Sequence, residues 1–458
     1  MSPAPAVFVH SDGRPALDRD ALARNARTLA VELSGHETAC PPEQAAEPFG
    51  YCINLAAERS HFTVGFCAAL LANRPSLLPA NQQTGTITDL VDRYANCVVL
   101  TDKALAADLD AELNSRHVPL LSLPDVARGH EAVPGQASQP LAFRDTQTAA
   151  VVFTSGSTGE PNAIDKPWGT LAGTAELLRR RFLPDARRAS IVATVPAQHM
   201  YGLETTVMMA LCAEVTVHSG RPFYPQDIAS ALQTMPAPRI LVTTPIHLQA
   251  LVRSGTGLPP LAGVISATAP LDESLAAAAE NAWDCPVKEI YGCSEGGSLA
   301  SRTTTKGDLW HTLDEVVLCR EAQQTYVSAP HLASRVELQD ELELLSPGNF
   351  RLLGRGNDML NIGGKRASLA HINRVLLAIE GVQDAAVFPR EDGERLAALV
   401  VTDLDTRAVS RAMSHAIDPV FLPRPLCKVA QIPRNSLGKS TRAMLLSSLR
   451  DAECADHD

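Results

Sequence analysis

The sequence predicts an α/β fold, with a large N-terminal domain of helix-covered, mostly parallel sheets and a small α+β domain at the C-terminus. Three observations carry this. The 458 residues are more than one hydrophobic core organises, and they suit two or three domains. Their 45% hydrophobic and 20% charged content is that of a globular chain. Short apolar runs alternate with stretches of helical spacing up to Leu353, where Gly354-Arg355-Gly356-Asn357-Asp358 breaks the pattern and a second alternation begins.

Leu22, Ala26, Leu29 and Leu33 recur at helical spacing within Asp20–Leu33. Phe62–Leu71 reads as an apolar helix and Cys97–Leu100 as a short buried strand. Residues 126–147 are rich in Pro, Gly and Gln and read as a loop. Strands then follow at Ala189–Pro196, Glu214–His218, Ile240–Thr244 and Gly263–Ser266, each with a helical stretch nearby, which implies a mostly parallel sheet, and Pro286–Ile290 reads as a further strand. Glu337–Leu345 and Asn349–Leu353 form a hairpin through Ser346-Pro347-Gly348. The last hundred or so residues alternate through Ile372–Ile379, Ala385–Phe388, Leu396–Val401 and Val409–Ile417. The sequence shows no internal repeat and no long low-complexity tract.

Net charge is −11, which argues against nucleic acid as a main partner. Gly356–Asp458 balances 13 Lys/Arg against 13 Asp/Glu, so residues 1–355 carry the whole deficit. Without the four acids of 451–458, residues 356–450 stand at +4, suited to an anionic partner or to an ordinary solvated surface. No apolar run reaches the length of a membrane span, and the first residues lack the basic-then-apolar order of a signal peptide. The ten cysteines are scattered without a CxxC pair, a pattern expected of reduced thiols in a cytoplasmic protein. Among them Cys293 is expected to pack rather than react.

The apolar run Ala149–Phe153 leads into Thr154, Ser155, Gly156, Ser157, Thr158, Gly159, Glu160 and Pro161. Backbone N–H groups and hydroxyls in such a loop converge on an anion, and a polyphosphate is the natural ligand. The stretch is not a Walker A loop, since no Gly-Lys-Ser/Thr closes it, and alone it is equally readable as a Ser/Gly turn. Further motifs follow in order: His199-Met200-Tyr201-Gly202, Ser266-Ala267-Thr268, and Tyr291-Gly292-Cys293-Ser294-Glu295-Gly296. Asp340 then lies 15 residues before Arg355, and Pro433–Lys439 sets Lys439 on a Gly turn. Polar loops after strands sit where open parallel sheets bind ligands.

These six motifs, in this order over nearly the whole chain, resemble the adenylate-forming superfamily of acyl- and aryl-CoA synthetases, peptide-synthetase adenylation domains and luciferases. The resemblance implies an N-terminal adenylation domain over 1–354, a hinge at 355–358 and a mobile C-terminal domain over 359–458. It implies that Thr154–Gly159, Ala267, Thr268, Tyr291, Gly292, Asp340 and Arg355 bind ATP or AMP. Asp340 suits the ribose hydroxyls and Tyr291 the adenine face. Ser294 donates to the α-phosphate, Glu295 offers a carboxylate to Mg²⁺, and Lys439 meets the charge that develops as a carboxylate attacks. His199, Tyr201, Gly202, Ser266, Gly296 and Gly297 are expected to line the acyl pocket, the two glycines leaving room for a ring. Gly363-Gly364-Lys365 is expected to serve the thiol step after the domain swings.

Two positions depart from the family pattern. Asn162 stands where the phosphate loop usually ends in lysine, with Lys166 four residues on as a stand-in. Asn357 occupies the hinge place usually held by Asp or Lys. The expected activity is adenylation of a small carboxylic acid, hydroxybenzoate-like, with transfer to CoA or to the phosphopantetheine thiol of an acyl carrier protein. The stretch His199–Glu204 and the short frame resemble, more narrowly, ligases of aryl-polyene and xanthomonadin-type pigment pathways. Two other readings stay open: a short- or medium-chain acyl-CoA synthetase, and a nucleotide-binding protein without catalysis, the latter suggested by Asn162.

Overall fold

The computed structural model describes residues 6–10, 15–35, 50–79, 81–123, 139–154, 162–183, 188–322, 324–355, 359–362, 365–390, 395–434 and 440–455. The chain divides into two compact units. The first holds residues 1–317 and 327–336, the second 318–326 and 337–458.

The first unit contains two sheets. One runs in the order Leu120–Ser122, Cys97–Thr101, Tyr51–Asn54, Ser76–Leu78, Thr148–Thr154, Asn162–Pro167, parallel throughout except for the last pair. The other is parallel from Ala6–Val9 through Val215–His218, Ala189–Ala193, Arg239–Thr243 and Gly263–Ser266 to Val287–Cys293. Cys97–Thr101 and Ala189–Ala193 are buried at every position, as strands covered on both faces must be. The predicted alternation is therefore observed, and it resolves into two sheets.

The helix Arg19–Ser34 starts where Asp18 accepts a 2.7 Å hydrogen bond from the Ala21 N–H. Its predicted stripe, Leu22, Ala26, Leu29 and Leu33, is buried, and the helix packs along Arg59–Leu71. That second helix is apolar on nearly all sides and correspondingly buried. Crossovers such as Pro245–Ser254 and Glu273–Trp283 cover the larger sheet, their apolar sides forming one core with Val192, Leu241, Val264 and Val287.

Two elements shape the site. The parallel run ends at Val287–Cys293, whose chain turns straight back as the antiparallel strand Gly297–Thr303. The Tyr291–Gly296 motif is thus a hairpin turn. The stretch Met200–Cys212 is helical throughout but widens to a π-helix over Leu203–Met208. Such wide turns re-aim side chains and occur frequently at functional sites.

The second unit holds the hairpin Asp340–Ser346/Asn349–Arg355, so by contact the boundary falls ahead of the sequence-based division at 354. A pivot is a different property from a contact boundary; Arg355 ends the hairpin, and 356–358 lie outside the described residues. Val382–Pro389, Leu396–Thr402 and Leu426–Lys428 form a sheet with a core on each face. Leu396, Ala398 and Val400 meet Ile372, Leu376, Val409 and Met413 on one side. Ala397 and Leu399 meet Leu445 and Leu449 on the other, as period-2 alternation requires.

Among the described residues, no helix is long and apolar enough to cross a membrane. The described cysteines are free thiols, and burial pushes Cys52 and Cys97 up to about 12, which keeps them protonated and inert.

Candidate active site

The strands of the first unit place the motifs at their carboxyl ends. Gly263–Ser266 and Val287–Cys293 are parallel neighbours, with Ser266 opposite Glu289. The Ala267–Thr268 segment and the Tyr291–Gly296 turn therefore leave the sheet side by side. Thr268 adopts φ +81°, a left-handed conformation that a β-branched residue rarely takes. Strain of this kind persists only where surrounding contacts hold it. Here Glu289 supplies one: its carboxylate accepts from the Leu271 N–H at 2.8 Å, from Arg302 Nε at 2.6 Å and from the Thr304 hydroxyl at 2.7 Å. Arg302 in turn lies over the Trp310 ring at 4.8 Å.

The turn itself is closely bound. Gly292 faces Ser298 and Cys293 faces Gly297, so the returning backbone leaves no space for a side chain at Gly292. The Cys293 sulfur accepts the Gly296 N–H at 3.2 Å, the packing role expected of it. Ser294 is half-buried and Glu295 exposed at the tip. Tyr291 is only 7% exposed, its ring held edge-on by Trp310 at 5.8 Å, so little of the face expected for adenine is open.

Tyr201 donates its hydroxyl to the Ile265 carbonyl at 2.9 Å, which sets the start of its helix over the Gly263–Ser266 strand. Gly202 sits against the Pro196 carbonyl so closely that only glycine fits. His199 precedes this helix, half-buried. The Ser266 hydroxyl is buried without a hydrogen-bond partner among the described residues. Gly296 is buried against Leu299 and Cys293. At Gly297, φ is +73°, and the volume of the missing side chain is taken by the Glu204 carboxylate. The room expected there for a ring is filled.

Lys166 also differs from expectation. Thr154 pairs with Asn162 at the base of the phosphate loop, and Lys166 stands opposite Ala150, about 14 Å farther along the strand. It is 1% exposed, and its ammonium donates to the Glu295 carbonyl at 2.6 Å. Burial lowers its pKa, offset in part by the Glu204 charge. A lysine committed in this way is not a mobile stand-in for the charge missing at Asn162.

In the second unit the hairpin extends past the expected Leu353, and its register sets Asp340 opposite Arg355. Asp340 is half-buried. Lys439 lies outside the described residues, but both ends of its loop are tied. Arg434 forks onto Asp384 at 2.7 and 2.8 Å, and the Ser440 hydroxyl donates to the Pro433 carbonyl at 2.8 Å. Ser155–Gly159, Gly363 and Gly364 lie outside the described residues too; for Thr154, Arg355 and Lys365 only the backbone is described.

Glu204, Glu289, Arg302, Arg434 and Asp384 were not singled out by sequence reasoning. Only Glu204 carried a signal, as an acid inside an otherwise apolar helical run. Among the described residues no group of three or more His, Cys, Asp or Glu side chains could hold a metal. The exposed Glu295 is a single hard oxygen donor, which fits an ion that arrives already bound to phosphates.

Residues 52–349 match the family described as AMP-binding enzymes. The chain is 33% identical over 286 residues to 4-coumarate–CoA ligase of Rhodobacter capsulatus, covering 62% of this chain and 71% of that protein. It is 22% identical over 306 residues to 3,4-dihydroxybenzoate–[aryl-carrier protein] ligase of Bacillus anthracis, covering 64% and 72%. The solved structure of ATP-bound MatB from Rhodopseudomonas palustris superposes with a TM-score of 0.79 at 18% identity, covering 98% of this chain and 97% of that one.

Proposed function

The chain belongs to the AMP-binding enzyme family, and on that premise we propose that it adenylates a small aromatic acid and passes the acyl group to a thiol. The hydroxyaryl acids named for two of its relatives, 4-coumarate and 3,4-dihydroxybenzoate, support the aromatic substrate. The observation that carries the reading is the pair of adjacent loops at the carboxyl ends of neighbouring parallel strands, one strained at Thr268, the other presenting Ser294 and Glu295. The preferred acceptor is the phosphopantetheine of an acyl carrier protein, to which the +4 balance of 356–450 is suited, with CoA the other candidate. A hydroxybenzoate-like acid of an aryl-polyene-type pathway is the narrower form of this reading, and it rests on His199–Glu204.

In the first step a carboxylate oxygen attacks the α-phosphorus, the bond to the β-phosphate breaks, and pyrophosphate leaves. Ser294 donates to an α-phosphate oxygen. Lys439 offsets the negative charge as the two anions meet. Magnesium would be held by Glu295 and the phosphates, and supplies charge neutralisation. Asp340 would hold the ribose hydroxyls, with Arg355 beside it. In the second step the thiol sulfur attacks the acyl carbon, AMP departs with the bonding electrons, and the thiol proton passes to solvent. The Gly363-Gly364-Lys365 loop would replace Lys439 at the site for this step.

Pyrophosphate exchange over a panel of benzoates and aliphatic acids tests the reading, followed by transfer to CoA and to carrier protein. Exchange with hydroxybenzoates is expected. Exchange with aliphatic acids alone would leave the short- or medium-chain acyl-CoA ligase, which the filled space at Gly297 favours. ATP binding without exchange for any acid would leave the non-catalytic protein. Lys439→Ala is expected to abolish adenylation while a preformed acyl-adenylate still transfers. Equal loss of both steps contradicts the alternation of the two loops.

A further inference from the structure

We propose that Lys166 and Glu204 are positioning residues for adenylation, an oppositely charged buried pair that grips the Cys293–Ser298 turn at two points, its tip and its returning strand. The inference rests on the ligase reading of that turn. Lys166 comes from the strand Asn162–Pro167 and donates to the Glu295 carbonyl at 2.6 Å. Glu204 comes from the π-helix, and its Oε2 accepts from the Ser298 N–H at 3.1 Å and from the Ser298 hydroxyl at 2.6 Å. Its other oxygen has no hydrogen-bond partner among the described residues and occupies the place that a side chain on Gly297 would take. Both side chains are almost wholly buried, at 1% and 2% exposure.

Two buried charges are costly unless they compensate each other. Burial pushes the Glu204 carboxyl up and the Lys166 ammonium down; each is the chief opposite charge acting on the other. Such a pair is a poor way to gain stability, because an apolar pair of the same volume does as well. What it provides here is directional: a donor on one side of the turn and an acceptor on the other, with Gly297 the residue whose missing side chain admits the carboxylate. One grip falls on the backbone of the exposed Glu295 itself, next to the half-buried Ser294, and the other on Ser298, with Gly296 and Gly297 between them. The position of Lys166, beyond the reach of the phosphate loop's base, is explained by this task.

The test separates stability from positioning. Lys166→Met or Glu204→Gln alone leaves an uncompensated buried charge, and the thermal midpoint falls. The double variant Lys166→Met/Glu204→Gln removes both charges, and its midpoint returns close to wild type. Its kcat for pyrophosphate exchange stays about tenfold or more below wild type, with KM for the acid little changed, because the Glu295 carbonyl is no longer held and the glutamine keeps only a neutral acceptor for Ser298. Recovery of kcat together with the midpoint overturns the proposal and leaves a purely structural pair. If the double variant does not fold, Ser298→Ala decides, since it removes only the hydroxyl held by Glu204. A several-fold lower kcat at an unchanged midpoint supports the grip; wild-type kcat overturns it. A wild-type protein that exchanges no acid overturns the ligase reading and this inference together, whereas an active wild type with an equally active double variant overturns this inference alone.

Discussion

At Gly202 a Cβ would collide with the Pro196 carbonyl, and both partners are main chain, so neither yields by changing rotamer. Gly202→Ala is therefore expected to cost about 1–3 kcal/mol, the range for overpacked interiors. Calorimetry measures that loss, and exchange kinetics should show a raised KM for the acid, because Tyr201 beside it is tied to Ile265. An unchanged midpoint would mean that the helix start has freedom the structure denies it. Glu295, Ser294 and Asp340 were legible as candidates because their neighbours in sequence form a recognisable pattern. Lys166 was legible as a charge near the phosphate loop, yet its burial depends on a strand register and on a turn 129 residues away.

The helix Arg59–Leu71 shows what one distant acid does for an element. Its preceding residue, Glu58, gives no side-chain cap. The first donors of the helix, the Arg59 and Ser60 N–H groups, go to the Ser219 carbonyl at 2.8 Å and hydroxyl at 3.2 Å, while Asp102, from the loop after Cys97–Thr101, fixes the entry by accepting from the Ala57 and Glu58 N–H groups at 2.9 Å each and bonding His61 Nδ1 at 2.9 Å. Burial alone would raise the Asp102 pKa, but these hydrogen bonds outweigh it and hold the carboxyl at about 2, against 3.8 ordinarily. The folded state thus favours the ionised form. Its contribution is complete above the unfolded pKa and is lost as pH falls from about 4 toward 2. Asp102→Asn should be less stable than wild type at pH 7, with the gap closing by pH 2; denaturant titration across that range measures it. A constant gap would contradict the assignment. The helix was evident from its apolar run, whereas the acid that fixes its entry was not, because it lies forty-odd residues downstream.

Across the whole molecule, the residues proposed for phosphate and acid belong to the first compact unit, and Asp340 and Arg355, proposed for the ribose, to the second. A ligand that binds only the folded protein stabilises it by mass action, by about 2.7 kcal/mol at a hundred times its Kd. ATP or AMP at saturation should accordingly raise the thermal midpoint of the wild-type protein. Asp340→Ala should weaken that shift at a fixed nucleotide concentration, since it removes the acceptor proposed for the ribose. A shift of equal size in the variant would remove Asp340 from the nucleotide site. The second unit carries its own two-faced core, and the described residues on either side of 435–439 are held by the Arg434–Asp384 and Ser440–Pro433 hydrogen bonds.

By itself the sequence determined the class of the fold, the order of the motifs and the residues whose chemistry suits a nucleotide and an acid. Periodicity, turn chemistry and motif spacing are local properties, and they survive being read one window at a time. The tertiary structure decided which of those residues are spent inside the protein. It turned Val287–Cys293 back on itself, widened Leu203–Met208 so that Glu204 points at Gly297, and buried Lys166 beneath Glu295. The last two outcomes depend on a hydrogen bond or a close approach between segments far apart in the chain. Desolvation then sets what a charge can do: the same lysine is a free cation on a surface and a fixed donor in a core.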